Sequence, residues 1–155
     1  MDIKRQIVQI DSREKNNVHI TNCFDNKKTR YLVSKLPFGD YWNWCNPFVI
    51  IERKNSLLEV ARTLGTSHNE FLAEIKTATK YGVHMILLIE ESDGFFDLDD
   101  INLWRNPYTK KNPKAMQGST ICKILKKYCE YYNFEVLFTT KSECADKILE
   151  LLKAV

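Results

Sequence analysis

Asp40 is followed about a dozen residues later by Glu52-Arg53-Lys54. Two carboxylates and an ammonium are the parts needed to cleave a phosphodiester. Hard carboxylate oxygens hold Mg²⁺ or Mn²⁺, which keep waters and take further ligands from phosphate. The bound ion polarises a phosphoryl oxygen and acidifies water, and the ammonium can position that water or offset charge on the phosphate. The spacing serves this chemistry only if the chain doubles back. A surface hairpin closed by a salt bridge has the same spacing, so by itself it leaves both readings open.

The flanking residues supply the fold-back. Residues 40–44 and 48–53 are two β-rich runs joined by Cys45-Asn46-Pro47, a hairpin pattern. Side chains alternate along a strand, so Glu52 and Lys54 share a face and Arg53 points away. Upstream, strands are expected over 6–11 and 30–36, the latter stopped by Pro37 and Gly39, with a short helix over 18–24. Downstream, Ser56 caps a helix with Leu57, Val60, Ala61 and Leu64 at core spacing. A second helix over 67–81 buries Phe71, Ile75 and Ala78 and ends at Gly82. Residues 83–89 are almost wholly apolar, the mark of a strand buried on both faces. A long loop over 91–117, of the functional or mobile kind, leads to a helix over 119–132, a strand over 134–138 and a helix over 141–151. Strands first, then alternating helices and strands, imply an α/β/α fold around a mixed sheet.

Composition sets the class. The 155 residues suffice for one domain, and 44% hydrophobic with 28% charged residues is ordinary globular usage. No apolar run approaches a membrane span, and the start MDIKRQIVQID lacks a secretory h-region. The five cysteines include no CxxC pair, which argues for reduced thiols and against zinc. The net charge of +3 is unevenly spread: residues 90–100 carry six acidic and no basic side chains, and residues 103–129 carry seven basic and no acidic ones. The basic stretch could follow a phosphate backbone, with Lys110, Lys111 and Lys114 the candidate contacts. It could equally be a solvated surface.

The string GDYWNWCNPFVIIERK resembles the GD…ERK signature of the XPF-type structure-specific endonucleases, a branch of the PD-(D/E)XK restriction-endonuclease-like superfamily. Three more stretches are similar in the same order. Ile10-Asp11-Ser12-Arg13-Glu14 resembles the family's VDxRE strand end, residues 70–80 its next helix, and Ile86-Leu87-Leu88-Ile89-Glu90 its buried strand. The resemblance spans residues 6–91 and, more loosely, the C-terminal strand and helix. It implies a three-layer α/β/α domain over residues 1–155 that hydrolyses branched or flap-like DNA with Mg²⁺ or Mn²⁺. Metal-activated water would attack in line, leaving a 5′-phosphate and a 3′-hydroxyl. Asp40, Glu52 and Asp11 would surround the metal and Lys54 would be the catalytic lysine. Arg13 and Arg53 would steady the acidic cluster or contact phosphate.

The sequence departs from the family twice. Leu58 stands where the pattern after ERK has an aspartate. Its neighbour Glu59 is rotated by about 100° along a helix, so Leu58 is expected in the core; Glu59 could replace the missing carboxylate only if the helix started differently, and Glu74 on the next helix could compensate instead. A catalytically weak or inactive module that binds DNA or a partner protein is the alternative this leaves. Relatives usually carry a helicase-like region or helix-hairpin-helix modules, and neither is expected within these 155 residues. Selectivity would then come from the nuclease domain itself, a homodimer or a DNA-binding partner protein. A compact phage or bacterial member would be cytoplasmic, and a eukaryotic or nuclear-virus one nuclear. His19, His68 and His84 have no spacing that suggests a shared metal, and His84 reads as structural. Trp42 and Trp44 are expected to share a face in a core or subunit interface.

Overall fold

A computed structural model of the chain describes residues 6–91 and 94–154. Ser92 and Asp93 of the acidic run lie outside the described residues. The elements in order are β1 (Ile7–Ile10), α1 (Val18–Asn26), β2 (Arg30–Val33), β3 (Tyr41–Asn43), β4 (Asn46–Lys54), α2 (Leu57–Thr66), α3 (His68–Lys80), β5 (His84–Glu90), two 3₁₀ turns (Leu98–Leu103 and Pro107–Lys110), α4 (Gly118–Tyr131), β6 (Phe134–Thr139) and α5 (Cys144–Leu152).

The strands form one mixed sheet in the order β2-β1-β3-β4-β5-β6. β3 runs antiparallel to β1 and β4, and β4, β5 and β6 run parallel. Helices α2, α3 and α4 cover one face, burying Ile50, Leu57, Ile75, Met85, Leu87 and Leu125. Helices α1 and α5 cover the other, burying Val8, Phe24, Ile51, Leu88 and Ile148. This is the three-layer α/β/α sandwich expected from the sequence. Strands with both faces covered read as apolar runs, and β5, His-Met-Ile-Leu-Leu-Ile-Glu, is buried from Met85 onward. Each fully buried Leu or Ile there contributes roughly 1.5–3 kcal/mol. No helix among the described residues is long and apolar enough to cross a membrane.

The β3–β4 connection turns at Trp44-Cys45, one residue earlier than expected. Asn43 pairs with Asn46, and the Asn43 side-chain oxygen accepts the Cys45 amide at 2.9 Å, closing the turn. The two tryptophans part company at a register shift after Trp42. Trp42 packs against the α2–α4 side, and Trp44 is half exposed, donating to Gln9.

Two expectations need correction. Over 91–117 the described residues include two 3₁₀ turns where only loop is expected, the first with Ile101 wholly buried and a capping box of Asp97 and Asp100. A 3₁₀ turn repeats every three residues, so the 3.6-residue signal misses it. Gly118 seals this segment against α4, because a Cβ there would sit 2.1 Å from the Ile101 carbonyl oxygen. Leu58 is not a core residue. Leu57 takes that place at zero exposure and Leu58 stays half-buried, because Ser56 caps the helix and sets its rotation.

Candidate active site

The site sits at the carboxyl end of β4, where the β3–β4 ladder fixes its geometry. Tyr41 pairs with Ile51. The Asp40 amide donates to the Ile51 carbonyl at 2.7 Å, and the Asp11 amide donates to the Asp40 carbonyl at 2.8 Å. One step along this antiparallel register, Asp40 stands opposite Glu52. Gly39 makes the approach possible. Its φ is +74°, and a Cβ would lie 2.5 Å from Ile50 Cγ1.

Alternation then distributes β4. Glu52 and Lys54 face the α2–α3 side, with Lys54 Nζ donating to Glu52 Oε1 at 3.1 Å. Arg53 faces the α1–α5 side and is 2% exposed, bonded to Glu14 at 2.8 Å and Glu90 at 2.8 Å. Its backbone amide still serves the site by donating to Asp40 Oδ2 at 2.8 Å.

These groups edge a polar cavity of about 260 Å³ that Glu14 and Glu59 also line. Glu59 comes there through helix capping. Its amide donates to Ser56 Oγ at 3.2 Å, and its carboxylate accepts the Asn55 amide at 2.7 Å. The α2 start is tied down further by the Leu57 amide donating to Glu91 at 2.7 Å.

Electrostatics mark the cavity as a place that wants a cation. Burial, then the charges of Glu52 and Glu14, raise the Asp40 carboxyl well above its ordinary range. Among the described residues Asp40 has no ion-pair partner, only the Arg53 amide. Burial raises Glu52 as well, against the pull of Lys54. Burial alone would lower the Lys54 ammonium, but Glu52, Glu59 and Asp40 outweigh it and keep it charged. Glu74 on α3 is pushed up to about 7 by burial and by Glu52. Crowded carboxylate oxygens around an open polar cavity fit a hard divalent ion.

Asp40, Glu52 and Lys54 are therefore brought together, and Arg13 and Arg53 line the same cavity. Both Asp11 oxygens are committed: one accepts the Leu36 amide at 2.8 Å, the other Arg13 Nε at 2.9 Å. Burial would raise Asp11, but these hydrogen bonds win and hold it below the usual range. Asp11 thus anchors the strand end, and the half-exposed Arg13 also reaches the Leu36 carbonyl at 3.0 Å. Arg53 supports the site from behind the sheet. Lys110, Lys111 and Lys114 are exposed on the segment after β5, which Tyr108 ties to Arg62 of α2 by a hydrogen bond of 3.3 Å.

Glu14 is a site residue that spacing alone does not single out, although it lies within the Ile10–Glu14 stretch. The signal available is its place three residues after Asp11, where a turn closes through the Glu14 amide on the Asp11 carbonyl at 3.0 Å.

Comparison with known proteins agrees with this architecture. The family model described as the ERCC4 domain matches residues 10–151. XPF from Aeropyrum pernix superposes with a TM-score of 0.67 at 15% identity, over 94% of this chain and 63% of that one. The structure of XPF from Aeropyrum pernix in complex with DNA gives a TM-score of 0.66 at 16% identity, over 96% and 64%. The chain thus spans less than two thirds of either structure. None of the curated proteins matches it. With the family model covering nearly its whole length, the chain belongs to the ERCC4 domain family and has the XPF-type nuclease fold.

Proposed function

We propose that this chain is a metal-dependent endonuclease domain that hydrolyses phosphodiesters in branched or flap-like DNA. The observation that carries the reading is the register of β3 against β4, which sets Asp40 across from Glu52 with Lys54 bonded to Glu52 beside an open polar cavity. Membership of the ERCC4 domain family supports it, and the solved XPF–DNA complex supports DNA as the partner.

Asp40 and Glu52 would hold Mg²⁺ or Mn²⁺, with Glu14 and Glu59 close enough to add negative charge. When bound, the ion supplies Lewis-acid polarisation of phosphate and a more acidic water. The chain's own groups do the rest. Lys54 stays cationic and can exchange its bond to Glu52 for one to a phosphate oxygen or the attacking water. Asp40 and Glu52 are held by ladder hydrogen bonds, so little rearrangement is needed on binding. Glu59, arriving from the α2 cap, stands in for the aspartate that Leu58 replaces. Asp11 and Arg13 hold the β1 end against Leu36. Lys110, Lys111 and Lys114 would follow the backbone of the bound DNA. A second copy or a DNA-binding partner protein would add selectivity for DNA shape.

Leu58 favours one second reading, a module that binds DNA without cutting it. Cleavage of a labelled flap substrate in Mn²⁺ decides between them. The endonuclease cuts, and Glu59→Gln slows it about 10- to 100-fold, as loss of a supporting metal-site partner does. Intact DNA binding with no cleavage at any Mn²⁺ concentration selects the binding module.

A further inference from the structure

Behind the sheet, Arg53 meets a second cluster of ligating groups that the nuclease chemistry does not use. His19 from α1, Glu90 from the end of β5 and Cys144 from the start of α5 bring one ligand atom each within 4.8 Å of one another. His19 Nε2 lies 2.8 Å from Glu90 Oε1. Cys144 has zero exposure and Glu90 6%, while the His19 side chain is 19% exposed and opens the cluster to solvent. A buried thiol, a buried carboxylate and a gateway imidazole from three different elements form a preassembled donor set. We infer that His19, Glu90 and Cys144 are a binding site for a borderline-soft divalent cation, zinc matching their ligand types best.

The geometry requires little movement. Tetrahedral zinc, with bonds of roughly 2.0–2.3 Å, separates its ligand atoms by roughly 3.3–3.7 Å. The existing separations bracket that range, so side-chain shifts of about an ångström suffice. The charge balances: neutral imidazole, carboxylate and thiolate carry two negative charges against the ion's two positive ones. On binding, Cys144 releases its thiol proton to solvent, and His19 keeps one ring proton on Nδ1. A water or a fourth ligand completes the sphere, as in sites with three protein ligands.

Arg53 does not block this. If Glu90 turns to the metal, Arg53 keeps both oxygens of Glu14 at 2.8 and 3.3 Å and the Lys15 carbonyl at 2.6 Å. Without metal the cluster is self-satisfied, since no described buried side-chain nitrogen or oxygen lacks a hydrogen bond and the Cys144 thiol bonds Glu90. The ion is therefore an added clamp between α1, β5 and α5, and the fold does not require it. The site is also chemically distinct from the cavity across the sheet, whose candidate metal ligands are carboxylates suited to Mg²⁺.

The test uses the full chain, stripped with a chelator, kept reduced and titrated with Co²⁺ in excess Mg²⁺. One equivalent should bind with a near-ultraviolet thiolate-to-cobalt band that Zn²⁺ then removes. Cys144→Ser should lose the band, His19→Gln should weaken Co²⁺ binding at least tenfold, and Asp40→Asn should change neither. Absence of the band in wild type overturns the inference, as does its survival in Cys144→Ser or unchanged affinity in His19→Gln. Thermal melts report whether each variant folds. If Cys144→Ser does not, the accessible His19→Gln decides alone.

Discussion

The Asp40 carboxylate accepts the backbone amide of Arg53 at 2.8 Å, so a residue edging the cavity is fixed by one whose side chain lies behind the sheet. The side-chain charge of Asp40 can thus be removed without losing its hydrogen bond. Asp40→Asn keeps an oxygen for the Arg53 amide and should abolish DNA cleavage while raising the metal-free melting temperature, because it removes repulsion from Glu52. Asp40→Ala should also abolish cleavage but melt below Asp40→Asn, since the amide is left without its acceptor. Melting curves and a flap-cleavage assay read both. Cleavage by Asp40→Asn at the wild-type rate would remove Asp40 from the chemistry.

Arg53 is a support residue. Replacing it with Met leaves Glu14 and Glu90 without their cation inside the protein, and removing one partner of a buried ion pair costs about 3–5 kcal/mol. Urea denaturation of Arg53→Met should show that loss. Lys54→Met should abolish cleavage with a smaller stability change, because Lys54 bonds one carboxylate where Arg53 bonds two. Equal stability losses in the two variants would contradict the division of roles along β4.

Glu74 gives the metal-free protein a pH signature. Its carboxyl is pushed from an ordinary 4.5 up to about 7, first by burial and then by Glu52. The folded state therefore holds the proton more tightly than the unfolded chain. That stability is fully present below about pH 4.5 and is lost as pH rises through about 7. Asp40 acts in the same direction. Melting temperature without metal should fall as pH rises across this window, with a shallower slope in Glu74→Gln. An identical slope in that variant would show that Glu74 does not titrate there.

Gly39→Ala should damage both stability and activity. The left-handed backbone alone costs roughly 1–2 kcal/mol for a residue with a Cβ, and Ile50 must move away from the new atom. Because Asp40 is the next residue, the proposed metal site would shift with it, and a misplacement of about 1 Å can lower the rate about 100-fold. Chemical denaturation and single-turnover cleavage measure the two losses.

In the proposed function the exposed lysines act through phosphate charge. Changing Lys110, Lys111 and Lys114 together to Ala should weaken DNA binding regardless of sequence. The slope of log affinity against log salt should shrink by roughly 0.9 for each phosphate that is no longer neutralised. A titration at several salt concentrations reads it, and an unchanged slope would place the DNA elsewhere.

The amino-acid sequence by itself determined the order of elements, the α/β/α layering and the doubling back that joins Asp40 to Glu52 and Lys54. Each depends on local periodicity: alternation along β4, core spacing from Leu57 to Leu64, the apolar run of β5, and a glycine where the backbone must turn left-handed. Such patterns act within a few residues and survive any packing. Tertiary structure alone decided which carboxylates stay free. It committed Asp11 to Arg13 and Leu36, and tied Glu14 to Arg53 across 39 positions. It also gathered His19 and Glu90 from 71 positions apart. Those partnerships depend on strand order and on which helix covers which face, and no spacing along the chain encodes either.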